Sequence, residues 1–394
     1  FSRRDIFKRP IGFQPLIFMK IIQRYAGIDW ILFLATIPLL AAGLISMRSF
    51  GGESDYYFTR QLIWIGISVF VFFAFSLVDW RFLRKSELLA GFFVLMSFFL
   101  AALLVFGKTV KGAASWFDLG FFSIEPVDPL KIIVILILAK YFSRRHIEIA
   151  NIRHIILPSL YVFIPTILVF LQPDFGSSII IFLIWLGMML VSGINKKHLL
   201  AIFLIVVVAL ASAWLFVFRP YQKARILTFL DPARDARGAG YNALQSMIAV
   251  GSGQFFGKGI GFGSQSRLEF LPEHQTDFIF AAFAEEWGFV GALFIFLFYG
   301  IIIWRIFRVA ALGRSNFESL YGIGVAIFLT AHFFVNIGMN IGIMPITGTT
   351  LPFLSYGGTH MLTVYTALGI LMGMRRYSRH THPDDAETEF LGPR

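Results

Sequence analysis

Chemistry along this chain concentrates where a polar segment meets an apolar one, in Leu271-Pro-Glu-His-Gln-Thr-Asp-Phe-Ile-Phe-Ala-Ala-Phe-Ala-Glu-Glu-Trp-Gly288. Asp277 falls at or just inside the start of the helix that this pattern predicts. Backbone N–H groups and the positive end of a helix dipole can hold a carboxylate there. An ionisable group at membrane depth is costly enough to suggest a function, so a functional role for Asp277 and a plain N-cap role, by Asp277 or Thr276, are both open. Glu285 and Glu286, further along, can pair with basic residues of a neighbouring loop or cap another helix. Asp128 and Lys131 stand three apart at a second helix start, close enough to pair; a structural ion pair and a substrate contact are both open. Asp174 lies in a Pro-Asp-Phe-Gly turn, a common place for Asp. Between Thr347 and Gly358, the hydroxyls of Ser355 and Tyr356 and flexible glycines either line a polar groove or close a re-entrant turn. The chain has 0 Cys, so disulfides, thiolate metal sites and thiol nucleophiles are excluded.

The elements that must position these residues are membrane helices. The chain is 57% hydrophobic and 14% charged, whereas soluble domains carry about 25% charged residues, and its apolar residues form long runs suited to lipid. A spanning helix needs roughly 20 mostly apolar residues. Such runs lie near 29–47, 61–79, 87–107, 129–143, 155–171, 177–193, 199–218, 284–304, 320–344 and 360–374. The expectation is an all-α polytopic membrane protein of about ten transmembrane helices, with a large extracytoplasmic loop between the seventh and eighth. The region 241–283 has room for further short or re-entrant helices.

The net charge of +11 is placed in short blocks between apolar runs, which marks topological anchoring and not a nucleic-acid surface. Ten spans put Arg3, Arg4, Lys8, Arg9, Lys20 and Arg24 on the same side as Arg81/Arg84/Lys85, Arg144/Arg145, Lys196/Lys197, Arg305/Arg308/Arg314 and Arg375/Arg376/Arg379. The positive-inside rule makes that side, with both termini, cytoplasmic. Residues 1–28 then form a basic cytoplasmic segment and 29–376 a single membrane domain. Within it, 219–283 is the large extracytoplasmic region, and 377–394 is a polar cytoplasmic tail. The opposite connections hold most of the Gly and Pro punctuation and the candidate residues, and function concentrates on such loops.

Four ordered motifs carry a resemblance over nearly the whole chain. They are Gln172-Pro-Asp-Phe-Gly-Ser-Ser178, Gly251-Ser-Gly-Gln-Phe-Phe-Gly-Lys-Gly-Ile-Gly-Phe-Gly-Ser264, Phe270-Leu-Pro-Glu-His-Gln-Thr-Asp-Phe-Ile-Phe280 and Gly348-Thr-Thr-Leu-Pro-Phe-Leu-Ser-Tyr-Gly-Gly358. Together they resemble the SEDS family (shape, elongation, division and sporulation), its elongation members before its division members. The resemblance implies a peptidoglycan glycosyltransferase of the bacterial cytoplasmic membrane, polymerising lipid II into β-1,4 glycan strands at the outer face during elongation. Asp277 matches the family's essential carboxylate and is expected to act as general base on the acceptor hydroxyl. Lys111, Asp128, Lys131, Asp174, Arg225, Glu273, Thr276, Ser355 and Tyr356 are the expected substrate-binding residues.

Three departures bear on this expectation. His274-Gln275 stands where relatives have His directly before Thr, Asp128 stands in a Glu position, and Lys111-Gly-Ala-Ala-Ser-Trp116 lacks an Arg before its Trp. The departing pyrophosphate calls for positive charge from Lys111, Lys131, Arg225 or the cluster with Lys223, Arg234 and Arg237. The alternative source is a divalent cation, Mg²⁺ or Mn²⁺, shared with the substrate, since no metal-ligand spacing is present. Expected partners are lipid II, the lipid-linked glycan strand, membrane lipid and a class B penicillin-binding transpeptidase, with no nucleic acid. A lipid II transporter and a non-catalytic scaffold for the transpeptidase are the rival readings.

Overall fold

A computed structural model describes residues 27–49, 54–110, 113–118, 123–145, 153–218, 220–235, 238–268 and 270–378. The apolar runs become α1 (Trp30–Ser49), α2 (Ser54–Ser76), α3 (Ser86–Phe106), α4 (Val127–Arg145), α5 (Arg153–Leu171), α6 (Phe175–Val191) and α7 (Lys196–Ser212). After the shorter α8 (Pro220–Leu230) and α9 (Ala239–Ser252) come α10 (Ile279–Ala311), α11 (Asn316–Asn340) and α12 (Gly358–Ser378). Ten of these correspond to the ten expected spans, which α8 and α9 separate. Six of the described helices are long and apolar enough to cross a membrane, and α5 and α6 are shorter apolar helices. The chain is a polytopic membrane protein, with lipid as the solvent for its exposed apolar side chains. Between α3 and α4 three short antiparallel strands, β1 (Lys108–Val110), β2 (Ala113–Asp118) and β3 (Ser123–Ile124), make a small sheet in the order β1-β2-β3.

The core runs along α4, α6, α11 and α12: α11 packs on α4, α6 and α10, while α12 lies along α2. Among the described residues of the apolar stretch of α7, none is buried in the protein.

The two ends of the bundle are built differently. One end is fastened by charge. Asp29, 3% exposed, accepts hydrogen bonds from Arg305 and from Arg375 and so ties the start of α1 to α10 and α12. At the same end, Arg84 donates to Ser315 and Glu318 at the head of α11.

The other end is rich in irregular backbone, and α10 is broken there. Gly288 sits at φ 67°, ψ −161° inside it. The Gly-rich run before α10 fills the break. Lys258 and Gly259 N–H groups donate to the carbonyls of Glu285 and Glu286 at 2.9 and 3.0 Å. Beyond the break, Phe289 and Val290 N–H groups donate to the carbonyls of Gln254 and Phe255 at 2.9 and 3.2 Å. The carboxylates follow the same direction. Glu285, fully buried, accepts from Lys258 Nζ (2.7 Å), Ser264 Oγ and the Gln265 and Ser266 N–H groups, and Glu286 accepts from Gly261 N–H and Ser49 Oγ. Glu285 and Glu286 therefore pair with the loop and hold it in the gap.

A Cβ at Gly288 would collide with the Gly257 nitrogen, on a backbone conformation with positive φ. Gly288→Ala is expected to destabilise the fold by at least ~1–3 kcal/mol. Thermal unfolding of the purified protein in detergent checks this, and an unchanged midpoint would contradict the account of the break.

Candidate active site

The sequence around Asp277 folds as a turn, not as the first turn of the helix. Phe278 is the N-cap residue of α10, so neither Asp277 nor Thr276 occupies the cap position. The segment 275–277 is held through its main chain. Three consecutive carbonyls each have a partner: that of Gln275 accepts from Tyr356 N–H at 2.8 Å, that of Thr276 from Ser355 Oγ at 2.7 Å, and that of Asp277 from both Asn336 Nδ2 and Asn340 Nδ2 at 3.0 Å. With its backbone fixed on one side, the partly exposed Asp277 side chain stands beside Gly348, 3.5 Å from where a Cβ there would be. Gly348 has φ 74°, a conformation that favours glycine, so the chain passes close to the carboxylate without a side chain between them.

The clamp depends on buried amide side chains in α11. Asn336 and Asn340 are fully buried and one helical turn apart. Asn336 Nδ2 also donates to Thr349 carbonyl, while Asn340 Oδ1 accepts from Ala281 N–H and Ser246 Oγ. One turn earlier, His332 Nδ1 pairs with Thr350 carbonyl at 3.2 Å. The Thr347–Gly358 segment is thus a largely buried irregular stretch. Gln61 of α2 holds Ser355 carbonyl and Gly357 N–H, and Tyr299 of α10 donates to Pro352 carbonyl at 2.6 Å.

The sequence-predicted residues separate into groups. Ser355, 3% exposed, is spent on the Thr276 carbonyl and the Leu351 N–H. Glu273 is exposed and accepts from Thr276 Oγ1 at 3.1 Å. His274 is buried with Nδ1 on Leu271 carbonyl, a local structural role. Asp174 caps α6 through Ser177 N–H at 3.0 Å, and burial pushes its carboxyl up despite that bond.

Asp128 and Lys131 pair at 2.9 Å, each 2% exposed, and His360 Nδ1 reaches Asp128 at 3.4 Å. Glu125 adjoins this pair and accepts from Trp116 Nε1; burial, then the charges of Asp128 and Asp174, push its carboxyl well above the usual range. Lys131 is therefore the internal counter-ion of these acidic neighbours. Arg225 lies on α8, and Lys111 lies outside the described residues. Among the described residues no group of three His, Cys, Asp or Glu side chains has the geometry to hold a metal ion.

Sequence reasoning missed Asn336, Asn340, His332 and Gln61. For the three on α11 the signal was available: amides and an imidazole at four-residue intervals inside an apolar helix are expensive in lipid and mark an internal polar face.

Comparison with known proteins gives a consistent picture. A family profile described as cell cycle protein, covering FtsW, RodA and SpoVE, matches residues 25–380. Stage V sporulation protein E of Bacillus subtilis is 34% identical over 364 residues, which is 89% of this chain and 98% of that protein. The peptidoglycan glycosyltransferase MrdB of Escherichia coli is 38% identical over 290 residues, 74% of this chain and 77% of the relative. Among solved structures, a chain from a peptidoglycan synthase complex that coordinates polymerization and crosslinking superposes with a TM-score of 0.78 at 28% identity, covering 90% of this chain and 99% of that one. The rod shape determining protein RodA of Thermus thermophilus gives 0.67 at 27%, covering 90% and 98%.

Because Asn336 and Asn340 donate to one acceptor, either alone leaves the Asp277 carbonyl with a partner. Asn336→Ala and Asn340→Ala are each expected to lower kcat by a few fold. The double variant should fall about 10–100-fold, more than the product of the singles, since it strands a buried carbonyl. Turnover of each variant at saturating substrate checks this, and strictly multiplicative effects would remove the shared clamp.

Proposed function

This chain belongs to the FtsW, RodA and SpoVE family and is a peptidoglycan glycosyltransferase, and on that premise we propose that Asp277 is its general base and lipid II its substrate. The observation that carries the proposal is the clamp on the carbonyls of residues 275–277. It fixes the backbone from which one partly exposed carboxylate projects, beside Gly348. A base needs a fixed position that substrate can approach.

In the proposed reaction Asp277 takes the proton of the acceptor sugar's 4-hydroxyl as its oxygen attacks the anomeric carbon of the donor. The bond from that carbon to the diphosphate oxygen breaks, and its electron pair leaves with the undecaprenyl diphosphate. Attack on an α-linked donor from the opposite face inverts the centre and forms the β-1,4 linkage. Asp277 then releases its proton to solvent. Lys131 is engaged by Asp128, so positive charge for the departing diphosphate falls to Lys111 and Arg225. The described residues make no metal cage of three protein ligands; a Mg²⁺ or Mn²⁺ ion at this site would be one that the substrate diphosphate brings.

Topology supports placing this site outside. The basic connections and the Asp29 clasp share one end of the bundle, and the positive-inside rule makes that end cytoplasmic. Asp277 and the irregular segments lie at the other. Both termini are then cytoplasmic in a bacterial inner membrane. The similarity to a chain of a synthase complex that coordinates polymerization and crosslinking supports a class B penicillin-binding transpeptidase as partner, and the family motifs favour a role in elongation.

Asp277→Asn keeps the side chain's shape and removes the base. Polymerisation of lipid II by the purified protein should fall about 10²–10⁴-fold, with the thermal midpoint essentially unchanged. Wild-type turnover in this variant would end the base assignment.

A further inference from the structure

Beside the clamped 275–277 segment stands a cluster that this mechanism does not use. Tyr356 comes from the Thr347–Gly358 segment, and Tyr56, Tyr57 and Arg60 come from the start of α2. Tyr57 meets Tyr356 edge-on, with ring centroids 5.0 Å apart at 87°, and Tyr56 meets Tyr57 the same way at 5.3 Å. The Arg60 guanidinium lies 4.4 Å from the centre of the Tyr56 ring and within reach of the Tyr356 hydroxyl. Tyr356 N–H is bonded to the Gln275 carbonyl, so this surface is joined to the chain two residues from Asp277. Tyr56 is 47% exposed, while Tyr57, Arg60 and Tyr356 are each partly exposed.

Tyrosines at a membrane boundary ordinarily lay their rings toward lipid, with hydroxyls in the headgroup layer. Here the three rings are chained to one another, and the last belongs to the segment that holds the reacting residue. Arg60 also stands at the outer end, against the bias that gathers basic residues inside. Aromatic rings present apolar faces to the C–H side of a pyranose, and a guanidinium pre-ordered on a ring is a fork for phosphate or carboxylate. No single group in the cluster is selective. The combination fits a sugar ring carrying an anion.

We propose that Tyr56, Tyr57, Arg60 and Tyr356 form a subsite for a pyranose with its adjoining diphosphate, next to Asp277. Two substrates carry this chemistry, the incoming lipid-linked monomer and the growing lipid-linked strand. The inference rests on Asp277 marking the reacting centre.

The test uses the purified full-length chain with lipid II, comparing Arg60→Gln, Arg60→Lys and Tyr57→Leu with Asp277→Asn. Initial rates against lipid II concentration give kcat and KM, gels give strand length, and thermal unfolding reports folding. Arg60→Gln is expected to raise KM about tenfold, the usual scale for one lost charged hydrogen bond, with kcat within about twofold. Arg60→Lys should recover part of that loss. A raised KM with unchanged strand length assigns the subsite to the monomer, and shortened strands assign it to the growing chain. Unchanged KM and strand length in a folded Arg60→Gln, beside an inactive Asp277→Asn, would overturn the subsite. So would a loss confined to the binding of phosphatidylglycerol vesicles, which would make the cluster a headgroup anchor. An active Asp277→Asn would instead remove the base assignment and leave the Arg60 result to be read separately.

Discussion

Hydrocarbon offers no hydrogen bonds to a peptide group, so backbone that leaves the helix at membrane depth must find its partners within the protein. The loop-rich end of this molecule is organised by that demand. The break in α10 is completed by the Gly-rich run. The Thr347–Gly358 segment is completed by side chains from α2, α10 and α11. The segment before α10 is completed by α11 and by the Thr347–Gly358 segment itself. These bonds satisfy buried carbonyls, and in doing so they fix the backbone of Asp277. Positioning of Asp277 and solvation of the backbone are the same set of interactions.

The polar groups that do this work form a column through the helices. His332, Asn336 and Asn340 follow one another at single-turn spacing on α11, and the imidazole of His332 packs 4.5 Å from that of His360, which reaches Asp128 and so the Lys131 ion pair. A buried pair of this kind is weak evidence for stability, because desolvation offsets attraction. Its constraint is geometric: a charge left without its partner in this interior is strongly unfavourable, so α4 and α12 have few alternative registers.

Much of this was legible in the chain. Long apolar runs gave the helices, since lipid imposes their length, and basic blocks at alternate ends gave the orientation proposed for them. Asp277 stood out because a carboxylate beside an apolar helix is rare. The break at Gly288 was not legible, because glycine is common in apolar helices and only the mating of residues 254–259 with 285–290 gives this one its conformation. The same holds for the Gly-rich run, whose partners lie in the next helix. For Ser355 and Lys131 the sequence left a structural and a substrate role open; in the fold both are buried and bonded to protein groups, and a sequence does not tell which way a hydroxyl or an ammonium turns. Asn336 and Asn340 were overlooked because neutral amides draw less notice than charges.

The order of residues around the α10 break has a consequence for biogenesis. Residues 254–259, which complete the broken helix, are translated before residues 285–290. When the second half of α10 leaves the insertion machinery, the strand that will accept its Phe289 and Val290 N–H groups has already emerged. The discontinuity can therefore be sealed during synthesis, with no wait for later helices, and the carboxylate just ahead of it acquires its final clamp only when α11 and the segment beyond it arrive.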